Sequence, residues 1–143
     1  DPHPAWSSVD RLIGTQKVER QGHFIRITGP ERTLVEGFRR PALVGGIEEL
    51  THSARGFPIL DLQLLESILG IYGMSRLWAA VGWFLEAHQQ AFYVPEKLLE
   101  RCAQQKPKSP LYLVRNEKGG TLSHRWNLII PKSLDNGGVA NGY

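Results

Sequence analysis

Cysteine is nearly absent: Cys102 is the only one in the chain. A lone thiol excludes an internal disulfide framework and any metal site built of several thiolates, and it suits a reducing cytoplasm. Long apolar runs are missing as well. The longest, Leu77 to Leu85, is nine residues with Gly82 inside it, whereas a helix needs roughly 20 to cross a bilayer. No basic segment followed by an apolar stretch opens the chain, so neither a secretory signal nor a membrane anchor is expected. The first residue is Asp1 and not Met, as in a fragment of a longer protein.

Reactive-site patterns are also lacking. The histidines at 3, 23, 52, 88 and 124 include no pair at the four-residue helical spacing of a zinc site. His88 ends an apolar stripe and reads as a packed or interfacial residue. Gly73-Met74-Ser75-Arg76-Leu77 starts like a nucleophile elbow but lacks the second glycine and joins two helices, so Ser75 reads as a helix cap. Glu48 and Glu49 are neighbours on a helix, where their side chains diverge by about 100° and cannot share one proton. The Gly-Gly pairs at 45, 119 and 137 precede no Lys-Ser/Thr and fit no dinucleotide fingerprint; they read as turns. No catalytic residue, metal or cofactor is therefore expected, and the chain is read as non-enzymatic.

What is present suffices for a folded domain. The chain has 143 residues, 41% hydrophobic and 22% charged, enough for one domain (1–143) with a real core and too apolar for disorder. The net charge of +3 is unevenly spread. Residues 1–72 hold eight Lys/Arg against nine Asp/Glu, while residues 101–132 hold Arg101, Lys106, Lys108, Arg115, Lys118, Arg125 and Lys132 against Glu117 alone. Such a stretch suits a polyanion and marks a candidate nucleic-acid-binding surface. A solvated strand-and-loop face would have the same composition.

Along the chain, two prolines give an irregular lead-in to Ser8, and Val9–Gly14 and Gln16–Glu19 are strand candidates. Gly22–Thr28 has strand alternation, Ile25 and Ile27 against Phe24, Arg26 and Thr28; Phe24 on the polar side suggests that both faces are partly covered. A helix then starts at Pro30 with Thr28 as its cap, Glu31 near the positive end of its dipole, and Leu34, Val35 and Phe38 on one face. Arg39-Arg40 precede Pro41, which stops it. Gly45-Gly46 turns the chain into a second helix carrying Ile47, Leu50 and Ala54. A third runs from an Asp61 cap to Gly73. The fourth starts at a Ser75 cap and carries Leu77, Val81, Phe84, Leu85 and His88, with Trp78 and Trp83 widening the stripe so that most sides are enclosed. Pro95 opens a fifth with Leu98, Leu99 and Cys102. Leu111–Arg115 and Leu122–Ile130 are strand candidates joined by a glycine-rich hairpin turn at residues 116–120, and a tail closes the chain from Asp135. This order predicts an α+β fold: one antiparallel sheet from both chain ends packed on a central cluster of about five helices.

The densest signal is Pro30-Glu31-Arg32-Thr33-Leu34-Val35, followed by Arg40-Pro41-Ala42-Leu43-Val44-Gly45-Gly46-Ile47-Glu48-Glu49-Leu50. This string resembles the C-terminal domain of AbiEi-type antitoxins, of the abortive-infection AbiE class of type IV toxin–antitoxin systems. The likeness is strongest over residues 28–50, continues weakly through the next two helices, and does not extend at motif level beyond about residue 100. Pro30, Glu31, Arg32, Thr33, Pro41, Gly45 and Gly46 carry it; Glu36 stands where the family often has Asp. The resemblance implies an antitoxin domain that counteracts a nucleotidyltransferase-like toxin without a stable complex. It also implies help in binding the DNA of its own operon promoter, together with an N-terminal winged helix-turn-helix that this chain lacks. Residue chemistry alone leaves Arg32 either contacting a ligand or pinning its helix to a neighbouring strand or carboxylate, with the second favoured. A protein-interaction domain, anchored by Trp78 and Trp83 or by Phe92-Tyr93, is the alternative reading.

Overall fold

The computed structural model describes residues 13–57, 59–114 and 119–134. The expected lead-in, the start of the strand expected from Val9, most of the turn at 116–120 and the tail from Asp135 lie outside the described residues. Helices with two small sheets give the α+β class expected, and the chain divides into two units, Asp1–Met74 and Ser75–Tyr143.

In the first unit, Gln21 and Gly22 both take positive φ, 52° and 83°. That twist suits a two-residue hairpin, and it joins β1 (Thr15–Arg20) to β2 (His23–Thr28) with Lys17 opposite Arg26 and Glu19 opposite Phe24. Helix α1 (Pro30–Arg39) follows at once. Thr28 is still paired with Thr15 in the hairpin, so the cap position falls to Gly29, and the Thr28 hydroxyl instead accepts from Thr33 Oγ1 at 3.1 Å. Leu34, Val35 and Phe38 are buried, as their spacing predicts. Pro41–Val44 forms a 3-10 turn, and Gly45 and Gly46 at φ 83° and 105° lead into α2 (Ile47–Ala54). Gly37 lets α1 and α2 approach, because a Cβ there would lie 2.5 Å from Leu50 Cδ1. Helix α3 (Leu62–Tyr72) packs on α1. The Asp61 carboxylate caps it by accepting from the Leu64 N–H at 3.0 Å, and Gly73 at φ 63° ends it, both as expected.

The second unit opens with α4 (Ser75–Ala87), which starts at Ser75 itself and not after it. Leu77, Val81, Phe84 and Leu85 are buried, while Trp78 and Trp83 are only half-buried, so the helix is less enclosed than its composition suggests. Helix α5 (Glu96–Gln104), entered through Pro95, packs on α4 and buries Leu98, Leu99 and Cys102.

The strands that follow correct two expectations. Among the described residues the early and late strands do not share a sheet: β1 and β2 form one of their own, and β3 (Leu111–Tyr112), β4 (Thr121–Ser123) and β5 (Leu128–Ile130) form another in the order β3-β5-β4. The strand expected over Leu122–Ile130 is itself a hairpin. His124–Asn127 turns the chain, with Asn127 at φ 54°, and β4 pairs antiparallel with β5. Consequently β3 pairs not with β4 but in parallel with β5. The physical reason is Trp126, which the turn carries to full burial against the backbone of α4 at Gly82.

A Cβ at Gly82 would sit 2.3 Å from Trp126 Cζ3. Gly82→Ala should therefore lose about 2–3 kcal/mol despite its better helix propensity, because a buried indole cannot give way. Gly70, on the exposed side of α3 with nothing within 4 Å of its Cβ position, provides the control: Gly70→Ala should be neutral or stabilising by up to about 1 kcal/mol. Urea denaturation of both variants checks this.

Candidate nucleic-acid interface

Pro30, Glu31, Arg32 and Thr33 lie in the first turn of α1, and the side chains of Glu31 and Arg32 are turned to structural partners. Pro30 occupies the first helical position, where its missing N–H is harmless. Glu31 is 7% exposed, and its Oε2 accepts the Asp61 N–H at 2.7 Å, tying the start of α1 to the start of α3. Arg32 is 8% exposed and donates from NH1 to the Ile13 carbonyl at 2.9 Å, which pins the helix to the base of the hairpin. Burial pulls the Arg32 pKa below its ordinary value, with the Glu36 charge opposing. Glu36, with its longer arm, accepts from the Tyr72 hydroxyl and pairs with Arg39 at 3.3 Å, while the Arg39 guanidinium lies 5.5 Å from the Tyr72 ring centre. Pro41, Gly45 and Gly46 form the turn between α1 and α2.

The basic stretch is more compensated than its window of sequence indicates. Arg125 forks between two carboxylates from outside that window, donating to Glu86 Oε2 at 2.7 Å and to Glu96 Oε2. Glu86 Oε1 also accepts the Trp126 indole N–H at 2.8 Å, so this cluster closes the β4–β5 turn onto α4 and α5. Lys106 Nζ donates to the His124 carbonyl at 3.1 Å, on the same turn. Arg101, Lys108 and Lys132 are exposed, and Arg115 and Lys118 lie outside the described residues.

The β1–β2 hairpin exposes Lys17, Arg20, His23, Phe24 and Arg26. Phe24 is 64% exposed, not partly covered as the alternation suggests. Its ring lies under Lys17 Nζ, 4.5 Å from the ring centre, and Arg26 NH1 lies 3.3 Å from Thr15 Oγ1. In the second unit Phe92 is buried and Tyr93 is 85% exposed at a positive φ of 53°. His88 stacks on Phe84 with ring centres 4.4 Å apart, and its Nδ1 lies 2.9 Å from the Phe84 carbonyl. Among the described residues no group of three His, Cys, Asp or Glu is placed to hold a metal ion, and no helix is long and apolar enough to cross a membrane. No family model, curated protein or solved structure matches the chain.

Sequence reading missed the Arg125 cluster, since nothing local links residue 125 to residues 86 and 96. The signal for the exposed hairpin was present in the placement of Phe24 among polar residues, but period alone does not say which face meets solvent.

The Arg125 hydrogen bond, foremost, holds the Glu96 carboxyl below its ordinary pKa; desolvation opposes, and the Arg125 charge and Gln89 assist. The cluster's support from Glu96 is thus complete above the unfolded carboxylate value of about 4.3 and is lost as pH falls through the lower folded value. Glu96→Gln should be less stable than the parent at pH 7, with the gap narrowing as acid protonates Glu96. Denaturation curves across this range check it, and a gap independent of pH would remove Glu96 from the cluster's energetics.

Proposed function

We propose that the chain is the C-terminal antitoxin domain of a type IV toxin–antitoxin system of the AbiE class. In this reading it is cytoplasmic and non-enzymatic, counteracts a nucleotidyltransferase-like toxin without a stable complex, and assists its operon's autorepression by touching promoter DNA. The observation that carries the reading is the string from Pro30 to Leu50. It folds as a helix, a glycine-paired turn and a second helix at the boundaries its chemistry marks. The exposed cations of both units support the DNA part, since phosphate contacts are made by Lys and Arg.

Co-expression with the nucleotidyltransferase-like product of an adjacent gene tests the antitoxin part, scored by growth. The chain should restore growth, and Gly37→Val, which drives a branched side chain into Leu50, should abolish the rescue together with the fold. A soluble, well-expressed chain that gives no rescue would overturn the reading.

Tyr93 supports a second reading, a protein-interaction domain. A large aromatic held at positive φ and 85% exposed has the character of an interface anchor. That reading expects self-association or retention of a defined partner by the parent and its loss in Tyr93→Ser. A strictly monomeric parent that retains no partner would eliminate it.

A further inference from the structure

We infer that the β1–β2 hairpin is a ribbon that enters a groove of duplex DNA, and that it contributes more to nucleic-acid binding than the basic stretch at residues 101–132. The inference rests on the proposed role in operon autorepression and locates the contact within it.

Shape is the first argument. Each strand has six residues, a length of roughly 20 Å at about 3.4 Å per residue. Two strands about 4.8 Å apart, with their side chains, match a major groove about 12 Å wide, which admits a two-stranded ribbon. The hairpin's outer surface is solvent-facing, and its two-residue tip at Gln21-Gly22 is exposed.

Charge is the second. Between Thr15 and Thr28 the ribbon carries Lys17, Arg20 and Arg26 against the single carboxylate of Glu19, with His23 at the tip. No ion pair among the described residues takes up Lys17, Arg20 or Arg26. Arg125 of the basic stretch, by contrast, is already held by Glu86 and Glu96, and Lys106 is bonded to the His124 carbonyl. Cations left open to solvent can exchange water and counterions for phosphate, and release of those counterions drives the binding.

Side-chain placement is the third. Register puts Lys17 across from Arg26 and Glu19 across from Phe24, so both cations and the ring share one face. The Lys17 contact to the Phe24 ring and the Arg26 contact to Thr15 lie along that face. Lys17 and Arg26 suit phosphates or guanine edges, and the exposed ring suits apolar contact with a thymine methyl.

The test is fluorescence anisotropy of the 143-residue chain on a labelled mixed-sequence DNA duplex, at about 50 and 200 mM salt. Lys17→Gln/Arg26→Gln should weaken binding about 10-fold or more at the lower salt and reduce the slope of log affinity against log salt by nearly 2. Phe24→Ser should weaken binding with the slope kept, and Lys106→Gln/Lys108→Gln should weaken it less than Lys17→Gln/Arg26→Gln does; an equal or larger loss would overturn the inference. Circular dichroism confirms folding of each variant. Affinity and slope unchanged in Lys17→Gln/Arg26→Gln would overturn the inference, as would absence of duplex binding by the parent at low salt. The growth assay separates the two claims. Rescue by the parent with a ribbon indifferent to DNA sinks the ribbon alone; no rescue with the expected ribbon losses sinks the antitoxin assignment alone. Should Lys17→Gln/Arg26→Gln keep DNA affinity but lose rescue, the ribbon faces a protein and the inference is overturned.

Discussion

Two polar ties at adjacent residues set the form of the first unit: the Glu31 carboxylate accepting the Asp61 N–H, and Arg32 donating to the Ile13 carbonyl. Both residues are buried, a condition that charged groups tolerate only when they are hydrogen-bonded. Each such bond contributes about 1.5–3 kcal/mol, and removing one partner strands the other. The same turn is closed by Gly29 N–H donating to the Gly14 carbonyl at 2.7 Å. Gly14 allows this approach because, at φ 73°, any Cβ would lie 2.9 Å from Arg32 Cβ. The hairpin is therefore anchored at its base while its tip stays in solvent. Residues that look like a ligand site in a string of letters serve here to aim a ribbon.

The second unit is built around a different constraint, the seating of Trp126 against Gly82. Once the indole is there, its N–H needs an acceptor, and Glu86 one helical turn along supplies it. Glu86 then attracts Arg125, and Glu96 of α5 completes the fork. Burial alone would lower the Arg125 pKa, but the hydrogen bonds it donates to Glu96 and Glu86, with the charges of those carboxylates, outweigh it and the net shift is upward. A run that is strongly basic in sequence is in this way partly neutralised by acids contributed from the preceding helices. Charge counted over a window overstates what a partner would meet.

Legibility from sequence followed the range of the forces. Helix starts and stops at Pro30, Asp61, Gly73 and Pro95 were readable because capping and φ restriction act within a turn. Buried faces of α1 and α5 followed from spacing for the same reason. The strand arrangement was not readable. Whether β3 pairs with β4 or with β5 depends on where Trp126 packs, and that is decided by a glycine 44 positions earlier. Thr28 was misread as a cap because cap chemistry and strand pairing compete for the same residue, and the ladder with Thr15 prevails. Of the surfaces, the exposed cations at 108 and 132 could be foreseen, but the compensation of Arg125 could not.

The first unit depends most on Arg32 holding the hairpin in place, and hydrogen–deuterium exchange of Arg32→Met measures that directly. Amides of β1 and β2 should lose protection, while those of α4 and β5 keep theirs. Unchanged protection throughout the hairpin would contradict the account, because the ribbon would then be held by something other than the first turn of α1.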